Sequence, residues 1–98
     1  MAGITPPTVT ELAEGEKLIV KQMQARAGDL MPRHTANLES IVFVHEGECV
    51  IDFDGDEKVV AQGEAIIIPP NVKHQIRATA DFKGIHVMPL QIEFRFFA

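Results

Sequence analysis

Short runs of β-branched and apolar residues, each closed by a turn signal, constrain this chain more than any other feature. Ile41-Val42-Phe43-Val44 is followed by the turn-like His45-Glu46-Gly47-Glu48. The run from Cys49 to Phe53 ends at Asp54-Gly55, a strong hairpin signal. Glu57 to Ala61 forms the next run, then Gln62-Gly63-Glu64 turns the chain. Ala65 to Ile68 is closed by Pro69-Pro70-Asn71. His74 to Thr79 and Phe82 to Met88 read as two more strands, the second loosened by Gly84. In the tail, Ile92, Phe94 and Phe96 share one face, Glu93 and Arg95 the other, and Phe97 breaks the alternation. Upstream, Lys17 to Gly28 reads as a strand, with a short helix as the alternative. Residues 1–16, interrupted by Pro6 and Pro7, are expected to be a loop or an edge extension. About seven or eight short strands without a long helical period predict an all-β sandwich or barrel.

One domain is expected for 98 residues, of which 46% are hydrophobic. The 14 acidic residues outnumber the 9 basic ones. That balance argues against nucleic acid, whose phosphates demand a surplus of cations. Lys17, Lys21, Arg26 and Arg33 are scattered and read as solvated surface. Cys49 is the single cysteine, so an internal disulfide is excluded. Glu11, Glu14 and Glu16 interrupt the N-terminal stretch, where a secretory leader needs an apolar run. No stretch reaches spanning length, so no membrane partner and a cytoplasmic location are expected.

Two histidine-bearing stretches carry a family resemblance. Gly28, His34 and Gly47 fit the pattern G-x5-H-x-H-x3-E-x6-G. Gly63, Pro69 and His74 fit G-x5-P-x-G-x2-H-x3-N, with Asn71 in the place of the glycine and Ala78 in that of the asparagine. Asparagine accepts a left-handed backbone better than most residues, so the first exchange is mild. Together these motifs resemble those of a small single-domain cupin. The resemblance runs from about residue 17 to residue 96 and implies a double-stranded β-helix, or jelly-roll, barrel over residues 17–98. It also implies a divalent metal held at four positions, occupied here by His34, Ala36, Ser40 and His74. Alanine has no donor atom and a serine hydroxyl is a weak ligand, whereas Zn, Ni, Fe or Mn wants at least three good donors. The implied metal site is therefore degenerate.

Three residues are candidates for completing it. His86 shares strand parity with Met88, and if Met88 points inward His86 joins His34 and His74. Glu39 stands one residue from a ligand position and needs a bulge to turn inward. His45 shares parity with Ile41 and Phe43, the opposite face. Parity with the anchors also predicts a cavity lined by Ala36, Ser40, Val42, Val44, Ile76 and Ala78, with Arg77 pointing away, and Met31 and Met88 are expected to close one end. No nucleophile elbow or phosphate loop is present. The expected function is binding of a small organic ligand in an apolar, histidine-containing cavity. The alternative is a metal-dependent enzyme, resembling the family's dioxygenases and isomerases, that uses His34, His74 and a substitute such as His86. Metal-free histidine acid–base chemistry and a purely structural role complete the range. A homodimer is expected, joined through the Ile41 and Phe43 row or the aromatic C-terminal strand.

Overall fold

The computed structural model describes residues 3–97. Among them the chain runs through ten strands. These are β1 (Thr8–Glu14), β2 (Leu18–Ala25), β3 (Arg33–Ala36), β4 (Ser40–Glu46) and β5 (Glu48–Phe53), followed by β6 (Asp56–Ala61), β7 (Ala65–Ile68), β8 (Gln75–Ala78), β9 (Phe82–Pro89) and β10 (Phe94–Phe97). All named pairings are antiparallel. A five-stranded sheet has the order β1-β2-β9-β4-β7, a three-stranded sheet the order β6-β5-β8, and β10 pairs with β3. The architecture is all-β, and none of these sheets closes on itself.

Turn chemistry sets the register. Asp54 and Gly55 both have positive φ (53° and 102°), as a two-residue hairpin between β5 and β6 requires. The Asp52 carboxylate accepts the Gly55 amide at 2.6 Å. Asn71, in the place of the family glycine, has φ 63°. Gly47, between β4 and β5, has φ 81° and lies directly against the Asp81 backbone.

Three elements sharpen or depart from the sequence-based expectation. Thr8–Glu14, read as a loop or loose edge, is an edge strand whose seven residues are all exposed. Its hold on the fold is the β2 ladder, broken by a bulge between Glu11 and Ala13. The stretch around His34, read as loop, contains β3, and the tail strand is only four residues long.

Period-two burial is clear in β4, where Ser40, Val42 and Val44 are buried while Ile41, Phe43 and His45 are exposed. The core lies between the five-stranded and the three-stranded sheets. Met23, Ala25, Val42, Val44, Ile68 and Phe82 come from one side, and Cys49, Ile51, Val60, Ile76 and Ala78 from the other. Gly84 leaves room for the Phe82 ring, since a Cβ there would lie 2.5 Å from the ring Cζ. On the outer face, Ile67, Ile41, Val87 and Val20 stand in register across β7, β4, β9 and β2. Ile67 is 50% exposed and both Ile41 and Phe43 are 38% exposed.

Cys49 is fully buried, and burial pushes its thiol up to about 12, with Glu48 adding to the effect. A thiolate is the reactive form. In the folded protein Cys49 is therefore expected to resist a thiol reagent at pH 8 and to react fully in denaturant. Rapid labelling of native protein would contradict the burial.

Candidate functional site

The site grows from a backbone bridge. His34, in β3, and His74, just before β8, exchange two amide hydrogen bonds of 2.9 Å. Met31 and Gly28 continue the contact by donating to the carbonyls of Ile76 and Ala78. This seam joins β3 to β8 and places the two imidazoles side by side, ring centroids 4.3 Å apart and edge to face.

Each ring is fixed by its own backbone. His34 Nδ1 donates to the Pro32 carbonyl at 3.0 Å, and His74 Nδ1 donates to the Val72 carbonyl at 2.9 Å. A carbonyl only accepts, so Nδ1 carries the proton in both rings. In the neutral rings Nε2 is then left as an acceptor. The third imidazole, His86, comes from β9 across the ladder from Val42. Its Nε2 shares a hydrogen bond of 2.9 Å with Ser40 Oγ.

All three rings line one cavity of about 350 Å³. Its wall also includes Val42 and Ile76, on the faces that strand parity assigns, together with Met31 and Met88. Four other expected lining residues are buried elsewhere. Val44 and Ala78, two residues farther along their strands, belong to the core. Ala36 is covered at the end of β3, where its carbonyl accepts the Asn71 amide. Ser40 is buried as the hydrogen-bond partner of His86. Glu39 does not turn inward: it is exposed, beside the buried Ser40 that opens β4. Arg77 points outward, within 3.5 Å of Glu57. Arg33 is held by Gln75 at 2.8 Å and lies 3.8 Å from Asp52.

The wall contains groups that the motifs did not identify. Phe94 and Phe96 close one side, their ring centroids 5.5 and 5.3 Å from that of His34. Pro6 and Pro7 line the cavity just after Ile4 and Thr5, which are pinned to Leu30 through a backbone bridge and a 2.8 Å amide bond, and Val9 lines it from β1, opposite Met23 in the β2 ladder. Lys21, read from the sequence as solvated surface, lines the cavity too. It stands opposite His86 across the β2–β9 ladder and is half-buried.

Burial governs the electrostatics. It lowers His74 from its ordinary value of 6.5, with the neighbouring His34 adding to the effect and the Val72 carbonyl opposing it. His86 is lowered to about 4 by burial first, then by repulsion from His34, His74 and Lys21. A neutral His86 is the ordinary state of this pocket.

The donor set does not fit a resident metal. Positions 36 and 40 supply no carboxylate or imidazole, and the Nε2 of His86 is engaged by Ser40. Among the described residues, no group of three or more His, Cys, Asp or Glu side chains is placed to hold a metal ion. No helix among them is long and apolar enough to cross a membrane.

The family described as Cupin domain matches residues 18–88. Among solved structures, an RmlC-like cupin protein from Desulfovibrio desulfuricans is 24% identical, with a TM-score of 0.76, over 86% of this chain and 82% of that one. A conserved protein with a double-stranded β-helix domain from Klebsiella pneumoniae is 18% identical, with a TM-score of 0.83, over 98% of this chain and 83% of its own. A salicylate 1,2-dioxygenase from Pseudaminobacter salicylatoxidans is 13% identical with a TM-score of 0.82; the alignment covers 98% of this chain but 32% of the dioxygenase. At such identities the likeness is one of fold. Comparison with curated proteins gives no match.

Proposed function

Because this chain belongs to the cupin domain family, we propose that its strands form that family's double-stranded β-helix around a binding site for a small organic molecule. The observation that carries the reading is the pair of backbone-anchored imidazoles, His34 and His74, in a mostly apolar cavity of about 350 Å³. That volume is near the lower end of the range for small-molecule pockets, roughly 300–1,000 Å³. The apolar wall supplies affinity by burying the body of the ligand. The Nε2 acceptors orient it by accepting a hydrogen bond from a hydroxyl or amine. Their tautomer is set by the carbonyls of Pro32 and Val72, so the site selects for a donor at that end.

Phenol and anisole test this reading, because they differ in the hydroxyl donor. Titration followed by NMR is expected to show phenol perturbing the His34 and His74 ring signals, with anisole at least tenfold weaker. His34→Phe and His74→Phe are each expected to remove the phenol preference. Equal binding of the two probes, or no effect of either variant, would refute the imidazole role. Elemental analysis of untagged protein after separate loading with Mn, Fe, Ni and Zn covers the metal-dependent alternative. Well under one metal per chain is expected. One equivalent, lost in His86→Ala, would replace the present reading with the enzyme one.

The proposed macromolecular partner is a second copy of the chain on the outer face of the five-stranded sheet, where the in-register row from Ile67 to Val20 is apolar. Exposed apolar rows of this kind mark association surfaces.

A further inference from the structure

The cavity contains one group that an apolar site for neutral ligands does not call for. Among the described residues that line it, Lys21 is the only Lys or Arg, and none is Asp or Glu. The ion pairs among the described residues are formed by Arg33, Lys58, Arg77 and Lys83, and Lys21 enters none of them. Its cross-strand neighbour on β1 is Glu11, which lies outside the lining. Its other neighbour is His86. Lys21 shares a face of β2 with Ile19 and Met23, both buried, so strand parity directs its side chain to the inner face. The four-carbon stem suits an apolar wall, and the ammonium supplies three donors.

The cavity wall also carries an aromatic cluster. Phe94 and Phe96 lie with their centroids 6.4 Å apart beside His34, which touches His74 in turn. Flat rings in offset or edge contact complement a flat ligand body. One cation, no lining carboxylate and an aromatic cluster define a ligand with matching parts.

We propose that the cavity takes a small aromatic monocarboxylate, with Lys21 pairing the carboxylate and Phe94 and Phe96 flanking the ring. This rests on the reading of the cavity as a small-molecule site and names its ligand class. Pairing with Lys21 discriminates against neutral molecules of the same shape, because burial in an apolar wall weakens competition from water. A structural role for Lys21, with its stem covering the wall and its ammonium directed to solvent, predicts no such discrimination.

Benzoate and its neutral isostere benzamide separate the two. Isothermal titration of the full chain is expected to show benzoate binding at least tenfold more tightly than benzamide. Lys21→Met keeps the stem and is expected to lower benzoate affinity at least tenfold while leaving benzamide unchanged, and Lys21→Arg is expected to retain the preference. Thermal melting verifies that the variants fold, and the wild-type benzoate-to-benzamide ratio decides the question if they do not. Equal binding of the two probes, or unchanged benzoate affinity in Lys21→Met, would overturn the carboxylate proposal and leave the apolar cavity reading standing. Failure of both probes to bind would overturn the two together.

Discussion

Replacing Gly47 by alanine is expected to cost the fold roughly 3 kcal/mol or more, from left-handed strain and steric overlap together. The φ of 81° is strained for any residue with a Cβ. A methyl group would also run into the Asp81 carbonyl, with its carbon 2.9 Å from the carbonyl carbon and 3.0 Å from the Phe82 Cα. Those atoms are backbone, so relief requires moving the chain that opens β9 and carries the buried Phe82. Gly63→Ala is the control: φ is 85° there, but no atom lies within 4 Å of the added carbon. Strain alone then costs about 1 kcal/mol. Urea unfolding of the two variants measures the difference. Equal losses would mean that the contact with Asp81 relaxes freely.

Acid is expected to destabilise the protein through His86. In the unfolded chain this ring takes up a proton around its ordinary value of 6.5, and in the fold only at about 4. Between those values the unfolded state binds more protons, so stability is full above 6.5, falls as the pH drops, and stops falling below about 4. The full difference corresponds to about 3 kcal/mol. His74, also lowered by burial, acts in the same direction. The urea midpoint should therefore fall markedly between pH 7 and pH 4. His86→Gln can keep a hydrogen bond to Ser40 without titrating, and is expected to remove most of that fall. An unchanged pH dependence in this variant would assign the acid sensitivity to other groups.

The strands from β4 to β7 were legible because Val, Ile and Phe alternate or cluster there between unambiguous turns, and Asp54-Gly55 allowed little except a hairpin. Residues 33–36 were not legible as a strand. The segment is four residues long, follows a proline and forms its ladder with a distant partner, β10. Thr8–Glu14 gave no burial pattern to read, because every residue in it is exposed. Strand parity from His74, Ser40 and Met88 was enough to bring Ile76, Val42 and His86 toward one cavity. The same parity, run from Ile19 and Met23, leads to Lys21. Lysine's usual preference for solvent concealed it, although its neighbours two residues away on either side are apolar. Val44, Ala78 and Ala36 show the limit of parity, which gives the face of a strand but not how far along it the cavity extends. Pro6 and Pro7 follow the Ile4–Leu30 bridge, a long-range contact with no local sequence signal.

The bridge between His34 and His74 has a consequence for affinity. Two imidazoles brought together by a ligand would lose rotational and backbone freedom on binding, and that loss would weaken the complex. Here the paired amides and the carbonyls of Pro32 and Val72 hold both rings before any ligand arrives. The site is preorganised on this side, so folding has already met the entropic cost of aligning the acceptors. A ligand that matches their spacing gains nearly the whole contact, and one that requires them to separate must break the seam that joins β3 to β8.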